Sequence, residues 1–198
     1  MRRIVLAALA IAAWPAAAQE PPASAEDLFP LAVGNTWTYR VGGQDDKFVV
    51  RAARQEMVGS QTCILLEARL RDRVVATEHV AFTKDGLCRF KVEQTEVVPP
   101  VCVLKVPAPP RGWTAKYTLN QRPGTFTFTT RSEEVVYLAR RYKATVVEAR
   151  PGEVRGPTPP RTTVWYAPGV GPVKQRIDEG KGRFLELDLE KFEKAGGK

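Results

Sequence analysis

The stretch WYAPGVGPVKQRID, residues 165–178, sets two glycines and two prolines beside Lys174, a composition from which phosphate-cradling loops are made. Such a loop needs a strand, a glycine cradle and then a helix whose N-terminal amides meet the anion. Here Pro172 and a strand-like alternation of Val173, Gln175 and Ile177 follow, and Gly169-x-Gly171 falls short of G-x-G-x-x-G. The expectation is a hairpin turn in which glycine supplies a positive φ. The one histidine, His79, would have to serve any Ser-His-Asp or Cys-His arrangement. Its surroundings hold no G-x-S-x-G, and Cys63 has no helix N-terminus to activate it. His79 is expected to be a half-exposed strand residue, sharing one face with Thr77 and Ala81 while Glu78, Val80 and Phe82 take the other.

Three cysteines, Cys63, Cys88 and Cys102, cannot all pair. Alternation sets Cys88 with Phe90 and Val92, and Cys102 with Leu104 and Val106, so both are expected to point inward; Cys63 shares a face with Glu67 and Arg69 and is expected to look outward. A Cys88–Cys102 disulfide suits an oxidising compartment, but a turn at Pro99-Pro100 would set Cys102 opposite a residue near Val97. Buried free thiols are therefore the expectation and the disulfide the alternative. With one histidine and no Cys-x-x-Cys, a zinc site lacks ligands, and no metal or cofactor is expected. The carboxylate pairs Asp45-Asp46, Glu133-Glu134 and Asp178-Glu179 are adjacent in sequence, so their members point to opposite faces of a strand and read as solvated charge.

The elements that position these residues are strands. From Trp37 onward, segments such as NTWTYRV, TCILLEARL, GLCRFKVEQ, GTFTFTTRSEEVVY and RFLELDLEKFE alternate with period two and are separated by turn signals at Gly42-Gly43, Gly59-Ser60, Asp72, Asp85-Gly86, Pro99-Pro100, Pro123-Gly124, Gly169 and Gly180. No long helical pattern competes. The fold class is all-β or nearly so: a curved antiparallel sheet or half-barrel of about ten to twelve strands.

Two halves repeat in order, about 35–98 and 111–192. Trp37 answers Trp113, KFVVRAARQEMV answers TFTFTTRSEEVV, Glu67-Ala68-Arg69 recurs as Glu148-Ala149-Arg150, and HVAFTKDGLCRFK answers VWYAPGVGPVKQR. Each half is expected to supply about four strands, with RPGEVRGPTPPR, residues 150–161, as the largest insert.

The ends bound the compartment. Arg2 and Arg3, the apolar run Ile4 to Ala13 and the small residues Ala16 to Ala18 read as a cleaved signal over 1–18, and the run is too short to span a bilayer. No cysteine near the cut offers a lipid attachment point. A tether over 19–27, one β-domain over 28–192 and a flexible tail over 193–198 follow, in a periplasmic or secreted protein that does not span the membrane after processing. Removing Arg2 and Arg3 lowers the formal charge from +8 to +6. The remaining basic residues are interleaved with acids, as in RLRDR and ELDLEKFEK, which excludes a nucleic-acid block.

The aromatic residues are the candidate binding surface. Trp37 with Tyr39, and Phe126 with Phe128, stand at i and i+2 and line one face of their strands; Trp37, Tyr39, Phe82, Phe90, Trp113, Tyr117, Trp165 and Tyr166 are the candidate ligand-lining set. LFPLAVGNTWTYR (Leu28 to Arg40) and TTVWYAPGVGPVKQ (Thr162 to Gln175) resemble the paired signatures of a group of exported bacterial proteins of unknown function, F-P-L-x-x-G-N-x-W-x-Y and W-Y-A-P-G-V-G-x-V-K. VVYLARRYKATVVE resembles that group's V-T-V-P-A-G-T-F-K-A-x-x-V-E segment but departs at Leu138, Arg140 and Arg141, where the usual proline and glycine turn is missing. The resemblance implies a curved antiparallel sheet akin to lipoprotein-carrier (LolA-like) half-barrels and brings no catalytic residues.

The reading is a non-enzymatic, exported periplasmic β-domain that binds an apolar ligand or lipoprotein in a cavity. Its alternative is a cell-envelope interaction module with a solid core, whose partner meets a sheet edge or loop.

Overall fold

A computed structural model describes residues 24–42, 46–152 and 160–196. The expected signal over 1–18, the tether up to residue 23, Asp45, most of the 150–161 insert and residues 197–198 lie outside the described residues, as does the side chain of residue 179. A single helical turn, α1 (Ala25–Leu28), occupies the end of the expected tether. The Ser24 side chain accepts from the Asp27 N–H while the Asp27 carboxylate accepts from the Ser24 N–H, a reciprocal cap that satisfies two of the turn's orphan donors. Leu28 and Phe29 are then delivered to the core.

The rest is antiparallel strand: β1 (Thr36–Val41), β2 (Lys47–Val58), β3 (Gln61–Leu70), β4 (Arg73–Thr83), β5 (Gly86–Val92), β6 (Thr95–Leu104), β7 (Trp113–Leu119), β8 (Arg122–Tyr137), β9 (Arg140–Pro151), β10 (Arg161–Ala167), β11 (Gly171–Gly180) and β12 (Arg183–Glu193). Each pairs with its sequence neighbour and β1 closes on β12, giving a twelve-stranded barrel. Full closure removes the free edges that an open sheet would expose.

Each half supplies six strands rather than about four, β1–β6 and β7–β12, so equivalent strands face each other across the barrel. The repeated Glu-Ala-Arg stretches occupy β3 and β9. Both alanines, Ala68 and Ala149, line the interior, while Glu67 and Glu148 turn outward to arginine partners. Small residues at these equivalent positions leave interior space unfilled.

Two turns differ from expectation. Pro99-Pro100 lies within β6, and the chain turns at Glu93-Gln94, with Glu93 at φ 52°. The surplus residues of β6 are taken up between the pairs Lys91↔Glu96 and Arg89↔Val101. Proline, lacking an N–H, is tolerated at such irregularities. Pro123-Gly124 lies within β8, and the hairpin turns at Asn120 and Gln121, both at positive φ. Gly124 instead makes room for the Tyr117 ring, since a Cβ there would stand 2.4 Å from Cζ. Leu138 (φ 45°) and Ala139 (φ 59°) form the β8–β9 turn with neither proline nor glycine.

The β6 irregularity also decides the cysteines. It brings Cys102 opposite Cys88, and the two form a disulfide, contrary to the expected free thiols. Leu87, Arg89, Val101 and Val103 take the interior, so alternation turns both cysteines toward the outer face rather than inward.

Cys63 also faces away from the barrel interior, yet it is buried, 1% exposed. The reason is a side-chain bridge. Glu56 on β2 pairs with Cys63, His79 on β4 pairs with Leu65, and the Glu56 carboxylate meets His79 Nε2 at 2.6 Å across the intervening β3. The bridge covers Cys63 and Leu65 and buries His79 itself, which was expected to be half-exposed.

Candidate functional site

The strand alternation sends one apolar face of nearly every strand inward, and twelve strands enclose more space than these side chains fill. A cavity of about 530 Å³ results. Trp37 and Tyr39 of β1, Phe48 and Val50 of β2, Leu66 and Ala68 of β3, Val80 of β4, Phe126 and Phe128 of β8, and Val164 and Tyr166 of β10 contribute to its wall.

One end is shut by the two motifs. In an antiparallel meander all turns after even-numbered strands lie at the same end, so Pro168-Gly169-Val170, between β10 and β11, stands beside the start of β1. The Trp37 indole N–H donates to the Val170 carbonyl at 2.7 Å, and the Tyr39 hydroxyl donates to the Pro172 carbonyl at 2.9 Å. Phe29 meets Trp37 edge-on, with ring centroids 5.1 Å apart, and also packs on Tyr166. The Gly169 N–H donates to the Asp27 carbonyl, tying α1 over the turn. This is the hairpin expected of the glycine-rich stretch: Ala167 pairs with Gly171, and both glycines hold positive φ. No helix follows, so there is no phosphate cradle.

Toward the other end the lining retains accessible surface. Val80 and Leu87, at 2% and 0% exposure, belong to the covered end. Glu78 and Arg89 stand farther along β4 and β5, with side chains 35% and 31% exposed. Among the described residues they are the only formally charged ones of the wall. Arg89 Nε donates to Glu78 Oε2 at 3.0 Å, and Nη2 lies 3.0 Å from the same oxygen. Burial holds the Tyr166 phenol well above its ordinary range, with Arg89 acting against that shift and Glu78 with it, so the phenol is neutral and within the field of both charges.

Of the eight candidate lining residues, Trp37, Tyr39 and Tyr166 line the cavity. Phe82, Trp113 and Tyr117 pack against the core without reaching it. Phe90 falls at the β5 irregularity, between the pairs Val80↔Arg89 and His79↔Lys91. Trp165, flanked by the lining residues Val164 and Tyr166, points outward between Arg131 and Lys174, whose charges lie 5.9 and 5.7 Å from its ring centre. Sequence reasoning missed Glu78 and Arg89. The signal for Glu78 was present, because a carboxylate shares the apolar face of Val80 and Phe82; Arg89 was hidden by the irregular register of β5. Among the described residues no group of three or more potential ligands is placed to hold a metal ion.

No family model matches the chain, and no curated protein does. Two solved structures are similar. One is a "putative exported protein with YmcC-like fold" from Bacteroides fragilis, with 13% identity and a TM-score of 0.45, over 84% of this chain and 98% of that one. The other is a "putative lipoprotein" from Parabacteroides distasonis, with 12% identity and a TM-score of 0.47, over 88% of this chain and 100% of that one.

Proposed function

We propose that this protein is a non-enzymatic, exported binding protein that takes an apolar ligand or the acyl part of a lipoprotein into its barrel. The observation that carries the reading is the cavity of about 530 Å³, walled mainly by aliphatic and aromatic side chains and shut at one end. Small-molecule sites span roughly 300–1,000 Å³ and are largely apolar with a few placed polar groups. Export rests on the N-terminal signal pattern. The barrel exterior supports a water-facing protein, because Arg54, Glu56, Glu67, Glu148, Lys174 and Asp188 point outward and form ion pairs there. A lipid-embedded barrel would present an apolar band instead.

Against the solid-core interaction module stands the unfilled interior itself. The test is native mass spectrometry of the protein purified from its own envelope, paired with titration of an apolar fluorescent probe into wild type and Ala149→Trp. Ala149 lies on the cavity wall in half-buried surroundings. A bulky ring there should abolish saturable probe uptake while the fold remains intact. Wild-type protein that carries nothing and takes up no probe would reject the reading.

A further inference from the structure

Resting on the carrier reading, we infer that the ligand is a neutral amphiphile, an apolar chain whose head group both donates and accepts hydrogen bonds, such as an alcohol, a monoacylglycerol or an acyl amide. The recognition element is the Glu78–Arg89 pair. Its charges sum to zero, and among the described residues the wall carries no other charge. Both guanidinium contacts converge on Oε2, and among the described residues neither Glu78 Oε1 nor Arg89 Nη1 has another hydrogen-bond partner.

The pair thus leaves one acceptor oxygen and one donor nitrogen without a partner among the described residues, on two residues that line the cavity. A head group that both donates and accepts can satisfy either atom, donating to Oε1 or accepting from Nη1, without changing the charge of the cavity. An anionic head would have to compete with Glu78 for Arg89 and would leave a net negative charge among apolar side chains; a cationic head would leave a net positive one. Uncompensated charge in such surroundings is costly. The pair also sets depth. From Glu78 the wall runs through Val80 toward Phe29, Trp37 and Tyr166 at the shut end, so the chain enters first and the head stops at mid-wall.

Dodecanol, dodecanoic acid and dodecylamine at neutral pH, each competing against the fluorescent probe N-phenyl-1-naphthylamine, test the inference. Each affinity is referred to that compound's own octanol partition. The wild type should prefer dodecanol over both charged compounds by at least about tenfold. Glu78→Gln, which leaves Arg89 uncompensated, should move the preference to dodecanoate, and Arg89→Gln should move it to dodecylammonium. Should either variant fail to fold, the wild-type ranking decides alone. Equal affinities, or dodecanoate bound best by the wild type, would overturn the neutral-head inference and leave the carrier reading intact. Absence of saturable binding by the fluorescent probe and by all three compounds would sink both.

Discussion

The indole N–H of Trp37 donates to the carbonyl of Val170, 133 residues farther along the chain, at 2.7 Å. Tyr39 and Pro172 repeat the relationship at the same sequence separation. The two glycine- and aromatic-rich stretches are therefore halves of one device: together they close an end of the barrel and form the floor of its cavity. Their glycines serve packing and turn geometry rather than an anion.

Gly171 and Gly169 should respond unequally to alanine. A Cβ on Gly171 would lie 2.8 Å from Trp37 Nε1, at φ +103°; one on Gly169 would meet nothing within 4 Å, at φ +72°. Gly169→Ala incurs only the backbone penalty, about 1 kcal/mol. Gly171→Ala adds displacement of the buried indole and should cost roughly 2–4 kcal/mol. Denaturant melts of the two variants check the order, and equal losses would contradict the docking of indole on turn.

How much of this was legible depends on whether strict alternation survives. Trp37 and Tyr39, and Phe126 and Phe128, stand two apart in uninterrupted strand, and all four face the cavity as the pattern predicts. The pattern fails where the register shifts. In β5 and β6 the extra residues turn Cys88 and Cys102 outward and put Arg89 inside. Adjacent Trp165 and Tyr166 cannot share a face, and sequence alone does not say which enters. Barrel closure was also hidden, because the β1–β12 pairing joins the two ends of the domain and leaves no local signal.

The disulfide closes a sequence separation of 14 residues between Cys88 and Cys102. Loop-closure entropy assigns such a link about 3 kcal/mol, so Cys88→Ala/Cys102→Ala should lose roughly 2–3 kcal/mol in denaturant melts. Cys63 should behave differently. Its burial raises the thiol's pKa above the ordinary value and withholds the reactive thiolate. Native protein should not react with a thiol reagent; denatured, unreduced protein should react once. Three reactive thiols in the denatured, unreduced protein would show that the link is absent.

Leu138 and Ala139 hold a turn that asks both residues for positive φ, at 45° and 59°. Each side chain crowds its own backbone in that region, at a cost of roughly 1 kcal/mol, and Leu138 is 68% exposed, so no burial offsets the strain. Leu138→Asn/Ala139→Gly supplies the pair favoured in tight hairpins. The double variant should be more stable by about 1–2 kcal/mol, read as a rise in denaturation midpoint at unchanged slope. A loss of stability would mean that the leucine side chain contributes something its exposure does not reveal.

Glu148 predicts how stability depends on pH. Burial, the largest influence on its carboxyl, pushes the pKa up, but hydrogen bonds and charge from Arg161 and Arg150 outweigh it and leave the pKa below the ordinary value. Arg161 Nη2 stands 2.7 Å from Oε1, and Arg150 Nε meets the same oxygen. A carboxyl whose pKa is lower in the folded than in the unfolded chain stabilises the fold above its unfolded pKa, about 4.3, and the contribution disappears as pH falls through the folded value. Both arginines are about half exposed, 58% and 47%, so screening keeps the effect modest. Glu148→Gln should therefore cost about 1 kcal/mol at pH 7, and the gap between variant and wild type should close as pH drops from about 5 to below 4. Melts across that range decide the matter, because a difference that stays constant with pH would mean the glutamate acts through packing rather than through its charge.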